Sequence, residues 1–352
     1  FHTAVCSAAL AQTARVPLDG FSASVLPRMA PPRASAVRSA EAQLRDPELA
    51  RYLGTVKADL KILESFLHEV PFMGVVFGSA RTHASAPDAK QSRAVGECFA
   101  DIGLEPNGGA GPGVMDFVPE AFLHHRERSD LHTHGINIVL GTEQKRNPHV
   151  EHGFEMKEFL FRKLALYYPA LATVVMPGGL GTMDELFEVW AQRARNQHSA
   201  KLTTEQRDFF DPILRALATV ATKDRALIGH DAWRYITSSN NIDAAVAKLP
   251  APAQAAAVLE PVDQLATRFK EDLDTTMLAL DRVPKATVVL GGRDLPPTDP
   301  TVLAARETSR LLTRRDVPLR VGNPSAIANA VVSGARAANP RAVWCCDPVL
   351  GD

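Results

Sequence analysis

Four cysteines in 352 residues, Cys6, Cys98, Cys345 and Cys346, leave no C-x-x-C spacing. A disulfide framework, a zinc knuckle and a dithiol redox centre therefore lack their ligands, and a reducing compartment, the cytoplasm, fits best. Charge of one sign is also missing. The chain carries 39 basic and 40 acidic residues for a formal net charge of −1, so nothing draws the whole molecule toward nucleic acid or anionic lipid, and any anion site must be local. No apolar run approaches the ~20 residues that cross a bilayer. The start lacks both a methionine and a secretory apolar stretch. Phe1 opens the sequence, Met29 is a candidate natural start, and residues 1 to 40 are rich in Ala, Ser, Pro and Arg. That composition weakly resembles a transit peptide; the plainer expectation is a mobile tail over residues 1–45.

What remains is a near-average globular mixture, 45% hydrophobic and 22% charged, long enough for one large core or two. "DPELARYLGTVKADLKILESFLH" (46–68) reads as an amphipathic helix after an Asp-Pro start. From "FMGVVFGSAR" onward the chain repeats strand, glycine turn and helix. The segments "AKQSRAVGECFADIG", "GGAGPGVMDFVPEAF", "HGINIVLG", "EMKEFLFRKLALYY", "ATVVMPGG" and "TMDELFEVWAQRAR" follow in that rhythm. Alternation over more than a hundred residues predicts an α/β fold, a doubly wound, Rossmann-like parallel sheet whose ligands sit beyond the carboxyl ends of the strands. Residues 200 to 282 read as mostly helical. "KATVVLGGRD" then opens an echo of "GVVFGSAR", with a helix, a glycine turn and a further strand at matching intervals. The expected organisation is a nucleotide-binding domain over 46–282 and a degenerate half repeat over 283–352; convergence of unrelated βα units is the alternative.

The stretch "VVMPGGLGTMDELFEVW" (174–190) runs an apolar strand into Pro-Gly-Gly-x-Gly-Thr and a helix. Backbone N–H groups and the positive end of a helix dipole would meet there, which suits phosphate or carboxylate. Gly178, Gly179 and Gly181 are expected to allow close approach and positive φ, and Thr182 either caps the helix or donates to a phosphate oxygen. A tight turn with an N-cap is the plain alternative. No lysine follows as in a Walker loop, and the spacing is not G-x-G-x-x-G. Glu185 stands three residues after Thr182, which permits a capping box. The same spacing also sets a carboxylate at the mouth of an anion site.

"FGSAR", "GGAGPGVMD", "HGINIVLGTEQKRNPHVEHGFEMKEFLFRKL" and "MPGGLGTMDE" together resemble the Lonely Guy family, often mislabelled lysine decarboxylases. The resemblance spans roughly residues 46 to 200. It implies a phosphoribohydrolase that cleaves the N-glycosidic bond of a nucleoside 5′-monophosphate, AMP or a modified adenine nucleotide such as a cytokinin precursor, to free base and ribose 5-phosphate. By the resemblance Arg162 and Glu185 are the catalytic pair. Gly178, Gly179, Gly181 and Thr182 hold the phosphate, and Lys163, Ser79, Arg81, Gly108, Gly109, Gly111 and Gly113 complete the nucleotide pocket. It implies a homo-oligomer, no cofactor and no metal. The residues agree chemically, because breaking a C1′–N bond builds positive charge that a carboxylate stabilises, and a guanidinium can keep that carboxylate ionised. The alternative for Arg162 is a helix-surface ion pair with Glu158. A sensor or carrier that binds nucleotide without turnover is the alternative for the whole chain. Ala110 departs from the family, many of whose members carry a further glycine there.

Six of the eleven histidines fall between His124 and His152, but their spacing fits no zinc template, and solvated loop positions are expected. His152 and Glu155 precede the helix of Arg162 and are candidates for the pocket edge. Cys345 and Cys346 lie in an expected strand as inert thiols. Pyridoxal phosphate chemistry needs a Schiff-base lysine with an acidic partner for the ring nitrogen, and no lysine here has that setting.

Overall fold

The computed structural model describes residues 44–139, 146–224, 227–247, 249–281, 287–289, 296–314, 319–321, 326–339 and 343–345. Residues 1–43 of the expected tail, the "GTEQK" segment, Cys6, Cys346 and the glycine turns of the half repeat lie outside the described residues. Two compact units divide the chain, residues 55–266 and residues 1–54 with 267–352.

The larger unit holds a seven-stranded parallel sheet. In chain order its elements are β1 (Met73–Phe77), α2 (Pro87–Asp101), β2 (Pro106–Gly108), α3 (Val114–His125), β3 (His134–Ile138), β4 (His152–Met156), α4 (Phe159–Tyr167), β5 (Ala170–Val175), α5 (Leu180–Ala194), β6 (Lys201–Glu205), α6 (Arg207–Leu217), β7 (Ile236–Ser239), α7 (Ile242–Val246) and α8 (Pro252–Ala256). The helix α1 (Pro47–Glu69) precedes them and α9 (Val262–Asp281) follows. Strand order is β4-β3-β2-β1-β5-β6-β7. The winding reverses between β1 and β5, so a crevice is expected beyond the carboxyl ends of those two strands.

β1 and β5 are buried at every position, which is why "MGVVF" and "ALATVV" do not alternate and, Thr173 apart, carry no polar side chain. Val76, Val174 and Met176 pack under Val95 and Phe99 of α2, Val118 and Phe122 of α3 and Ile242 of α7. A Cβ on Gly74 would lie 2.4 Å from the Phe99 ring, so the glycine makes room for that ring. Burying a ring of this size contributes about 2–3 kcal/mol.

Two strands, β6 and β7, occupy the stretch expected to be mostly helical. Their sequences, "KLTTE" and "ITSS", are short and polar, yet Leu202, Thr203, Thr204 and Glu205 are buried between β5 and β7. β4 also stands where only a helix approach was expected, as an edge strand with little burial.

The smaller unit contains β8 (Thr287–Val289), α10 (Pro300–Thr313), β9 (Leu319–Val321), α11 (Ala326–Ala338) and β10 (Val343–Cys345). Its parallel sheet is ordered β10-β9-β8, the sequential order that β1, β2 and β3 follow in the larger sheet. Val302, Leu319, Ile327, Val331 and Ala335 form its core. The two units divide at 266/267, inside α9, which itself runs unbroken to Asp281. Among the described residues no helix is long and apolar enough to cross a membrane.

Candidate active site

Three glycine turns meet at the β1/β5 crevice. The turn after β1 is tied to the turn after β5 by the Ser79 N–H, which donates to the Pro177 carbonyl at 3.1 Å. It is tied to the turn before α3 by the Val114 N–H, which donates to the Ser79 carbonyl at 3.1 Å. Gly113, at φ +69°, is the hinge of that second contact, because a Cβ there would sit 2.4 Å from the Ser79 carbonyl oxygen. Ser79 Oγ accepts the Arg81 N–H at 3.0 Å, and the Arg81 side chain is exposed.

α5 begins at Leu180 with Gly179 as its N-cap, and no side chain caps it. Thr182 is therefore inside the first turn, not at the cap, and the capping box with Glu185 does not form. Its buried hydroxyl lies against Gly178, where a Cβ would be 2.2 Å from Oγ1. None of the three glycines takes a positive φ, contrary to expectation; the left-handed glycines among the described residues are Gly103 and Gly113. Gly179 and Gly181 instead contribute open space, with no atom within 4 Å of a would-be Cβ. The result is a bare helix N-terminus whose first N–H groups face outward, a setting for an anion. The neighbouring N-terminus of α3 carries Asp116 in its first turn, whereas α5 has no acid in its first turn. Of the two N-termini, that of α5 is the more favourable to a negative charge.

Arg162 and Glu185 face one another beside this turn, Nη1 to Oε1 at 4.0 Å, with side chains 13% and 15% exposed. Arg162 donates through Nε to the Ile136 carbonyl at 3.0 Å and lies 3.5 Å from the Gly109 carbonyl through Nη2. Those carbonyls belong to the middle of β3 and to the residue that follows β2, so the guanidinium is held by the sheet and turned to Glu185. Gly109 is needed for that path, since a Cβ would lie 2.5 Å from Arg162 Nη2. Burial pushes Glu185 up to about 7, against the pull of Arg162 and Lys163. Burial also lowers Arg162 from its ordinary value, opposed by Glu185.

Lys163 points elsewhere. Its ammonium is bound by Asp184 at 2.5 Å and Glu188 at 2.9 Å. Burial pulls it down, but the two carboxylates outweigh this and hold it above the ordinary lysine range. Its place is bracing α4 against α5.

Of the other glycines, Gly108 ends β2 and Gly111 is buried, its carbonyl accepting the Asn147 side-chain amide at 2.9 Å. Ala110 sits at φ +59°, left-handed backbone that a glycine adopts without strain. Its Cβ packs on Gly135. Asn147, from the 146–150 loop, also donates to the Met115 carbonyl at 3.0 Å and fastens the loop to the glycine turn. Sequence reasoning missed it, because a lone asparagine before a proline carries no motif.

The histidines are not uniformly solvated loop residues. His134 is buried in β3 with Nε2 2.6 Å from Glu105, and His149 pairs with Asp116 at 2.7 Å. His152 starts β4, stacks on His134 and meets His132 edge to face at the amino end of the strands, away from the glycine turns. Glu155 lines a separate cavity of about 540 Å3 on the β4 edge, with Ile62, Ser65, Arg146, Gly153 and Phe154. Among the described residues, ligating atoms of three His, Cys, Asp or Glu side chains come within 4.8 Å only at Glu64, His68 and Asp263, which belong to α1 and α9. The thiol of Cys98 is buried and pushed up to about 12 by that burial and by Asp243, so it is inert.

Residues 115–249 match the family described as possible lysine decarboxylase. The matched stretch carries Arg162, Lys163 and the 177–185 turn, and it leaves out the turn at 78–81, in keeping with the resemblance read from the motifs. No curated protein matches the sequence. Among solved structures, the structural-genomics protein TM1055 is 17% identical, with a TM-score of 0.37 over 50% of this chain and 96% of its own. The molybdenum cofactor binding protein of the phototrophic bacterium Rippkaea orientalis is also 17% identical, with a TM-score of 0.34 over 53% and 94%. The Moco carrier protein of Chlamydomonas reinhardtii is 16% identical, with a TM-score of 0.33 over 56% and 98%.

Proposed function

We propose that the chain is a hydrolase that splits the N-glycosidic bond of a nucleoside 5′-monophosphate, an adenine nucleotide first among them, into free base and ribose 5-phosphate. The observation that carries this reading is the buried Arg162 and Glu185 pair, 4.0 Å apart, beside an uncapped helix N-terminus. The turn at 177–182 takes the 5′-phosphate, and the ribose then lies over Glu185.

As the C1′–N bond breaks, its electron pair leaves with the base and positive charge gathers on C1′ and the ring oxygen. The Glu185 carboxylate offsets that charge and accepts the proton of the attacking water, whose hydroxyl adds to C1′; the proton finishes on the departing base. A carboxyl group near pH 7 suits both roles, since its proton is gained and lost at little cost there. Arg162 orients ligand oxygens and keeps Glu185 from rising further.

Chromatography of a panel of nucleoside 5′-monophosphates incubated with the wild type names the accepted base. Free base and ribose 5-phosphate in equal amounts are the expected products. Nucleotide binding by calorimetry without release of any base would leave the carrier reading instead.

A further inference from the structure

The 146–150 loop ends in a side-chain pair that this chemistry does not use. Asn147 fixes the loop on the glycine turn, with its N–H donating to the Ala110 carbonyl at 2.9 Å and its amide donating to Gly111 and Met115. His149 then sets Nδ1 2.7 Å from Asp116 Oδ1 in the first turn of α3. The two side chains are 28% and 26% exposed, so the pair reaches the surface. It stands at the glycine turn that Arg162 reaches, since Asp116 lies in the first turn of α3, directly after Gly113, and a Cβ on Gly109 would meet both Arg162 Nη2 and Sδ of Met115, the residue before Asp116.

A carboxylate only accepts, so the proton of a neutral His149 belongs on Nδ1 and the lone pair on Nε2. Nε2 has no protein partner among the described residues. Asp116 meanwhile offsets the positive end of α3 and discourages a ligand's anion there, which leaves this side of the pocket to the uncharged part of a nucleotide. We propose that His149, its tautomer held by Asp116, accepts a hydrogen bond from a donor on the nucleoside part of the ligand, a sugar hydroxyl or an exocyclic amine. Asp116 is a positioning residue and His149 a ligand-contacting one. The inference rests on the nucleotide reading of the pocket but not on turnover.

The test is calorimetric affinity for AMP in the full chain carrying Glu185→Gln, so that hydrolysis does not intervene. His149→Gln places an amide oxygen near Nε2, and His149→Asn places its amide near Nδ1, where it keeps only the Asp116 contact. The glutamine variant is expected to bind within about twofold of its parent. The asparagine and alanine variants are expected to lose roughly five- to tenfold, the worth of one hydrogen bond. That loss vanishes with 2′-deoxy-AMP if the donor is the sugar hydroxyl, or with IMP if it is the amine. Equal losses in all three variants, no loss in any, or retention by asparagine alone would show that the pair only holds the loop and would overturn the proposal. A parent that binds no nucleotide overturns it together with the pocket reading, whereas a wild type that binds but releases no base removes the hydrolase alone.

Discussion

Replacing Glu185 by glutamine should stabilise the fold at alkaline pH while it removes the proposed activity. Burial raises this carboxyl group from 4.5 to about 7, so between those values the folded chain holds a proton that the unfolded chain has released. Stability therefore falls as pH rises through that window, and the full penalty is present above pH 7. A rise of this size corresponds to about 3 kcal/mol. Glutamine is isosteric with the protonated acid and never ionises, so below pH 4.5 the variant and the wild type should be equally stable. At pH 8 the variant should gain up to about 3 kcal/mol, roughly 6–12 °C in Tm for a unit of this length. Thermal unfolding from pH 4.5 to 8.5 reads the difference directly. Parallel curves would mean that Glu185 is not held in a desolvated site, and the electrostatic argument for the pair would fall.

Gly109→Ala puts a methyl group 2.5 Å from Arg162 Nη2 and 2.6 Å from Met115 Sδ, both flexible side-chain ends. The fold should survive, while base release drops roughly 10- to 100-fold through the displaced guanidinium, read as kcat against Tm. Glu205 is a second buried acid, raised to about 7 by burial and partly relieved by Ser239. Glu205→Gln should raise Tm at pH 8 but not at pH 4, with the same sign as Glu185→Gln and a similar size. Ala110→Val imposes a β-branched side chain on a φ of +59° and should cost about 2 kcal/mol in urea unfolding, whereas Ala110→Gly should stay within about 1 kcal/mol of wild type.

The doubly wound sheet was legible because β1 and β5 are buried on both faces and, Thr173 apart, carry no polar side chain, a pattern no polar strand imitates. β6 and β7 hid because β6 buries Thr203, Thr204 and Glu205 beside a single leucine, no position of β7 is fully buried, and short polar runs resemble loops. Arg162 and Glu185 were readable as motif residues, but their meeting depends on crossover helices α4 and α5 packing on one sheet. The capping box at Thr182 was a reasonable local expectation. Tertiary packing of Thr182 on Gly178 overrode it, and the helix starts two residues earlier. Lys163 shows the limit of adjacency, since consecutive helix positions point about 100° apart and only one of two neighbours can enter the crevice. Asp116 and His149 are 33 residues apart, a pairing that only the β3 crossover makes visible.

The central claim is that Glu185 takes part in breaking a glycosidic bond. Its most direct test is the initial rate of adenine release from AMP at pH 8, measured for the wild type and for Glu185→Gln at matched, calorimetrically verified nucleotide occupancy. The wild type should release adenine steadily, with one ribose 5-phosphate per adenine, and the variant at least a hundredfold more slowly. Equal rates in the two proteins, or saturated binding with no adenine released by the wild type, would contradict it.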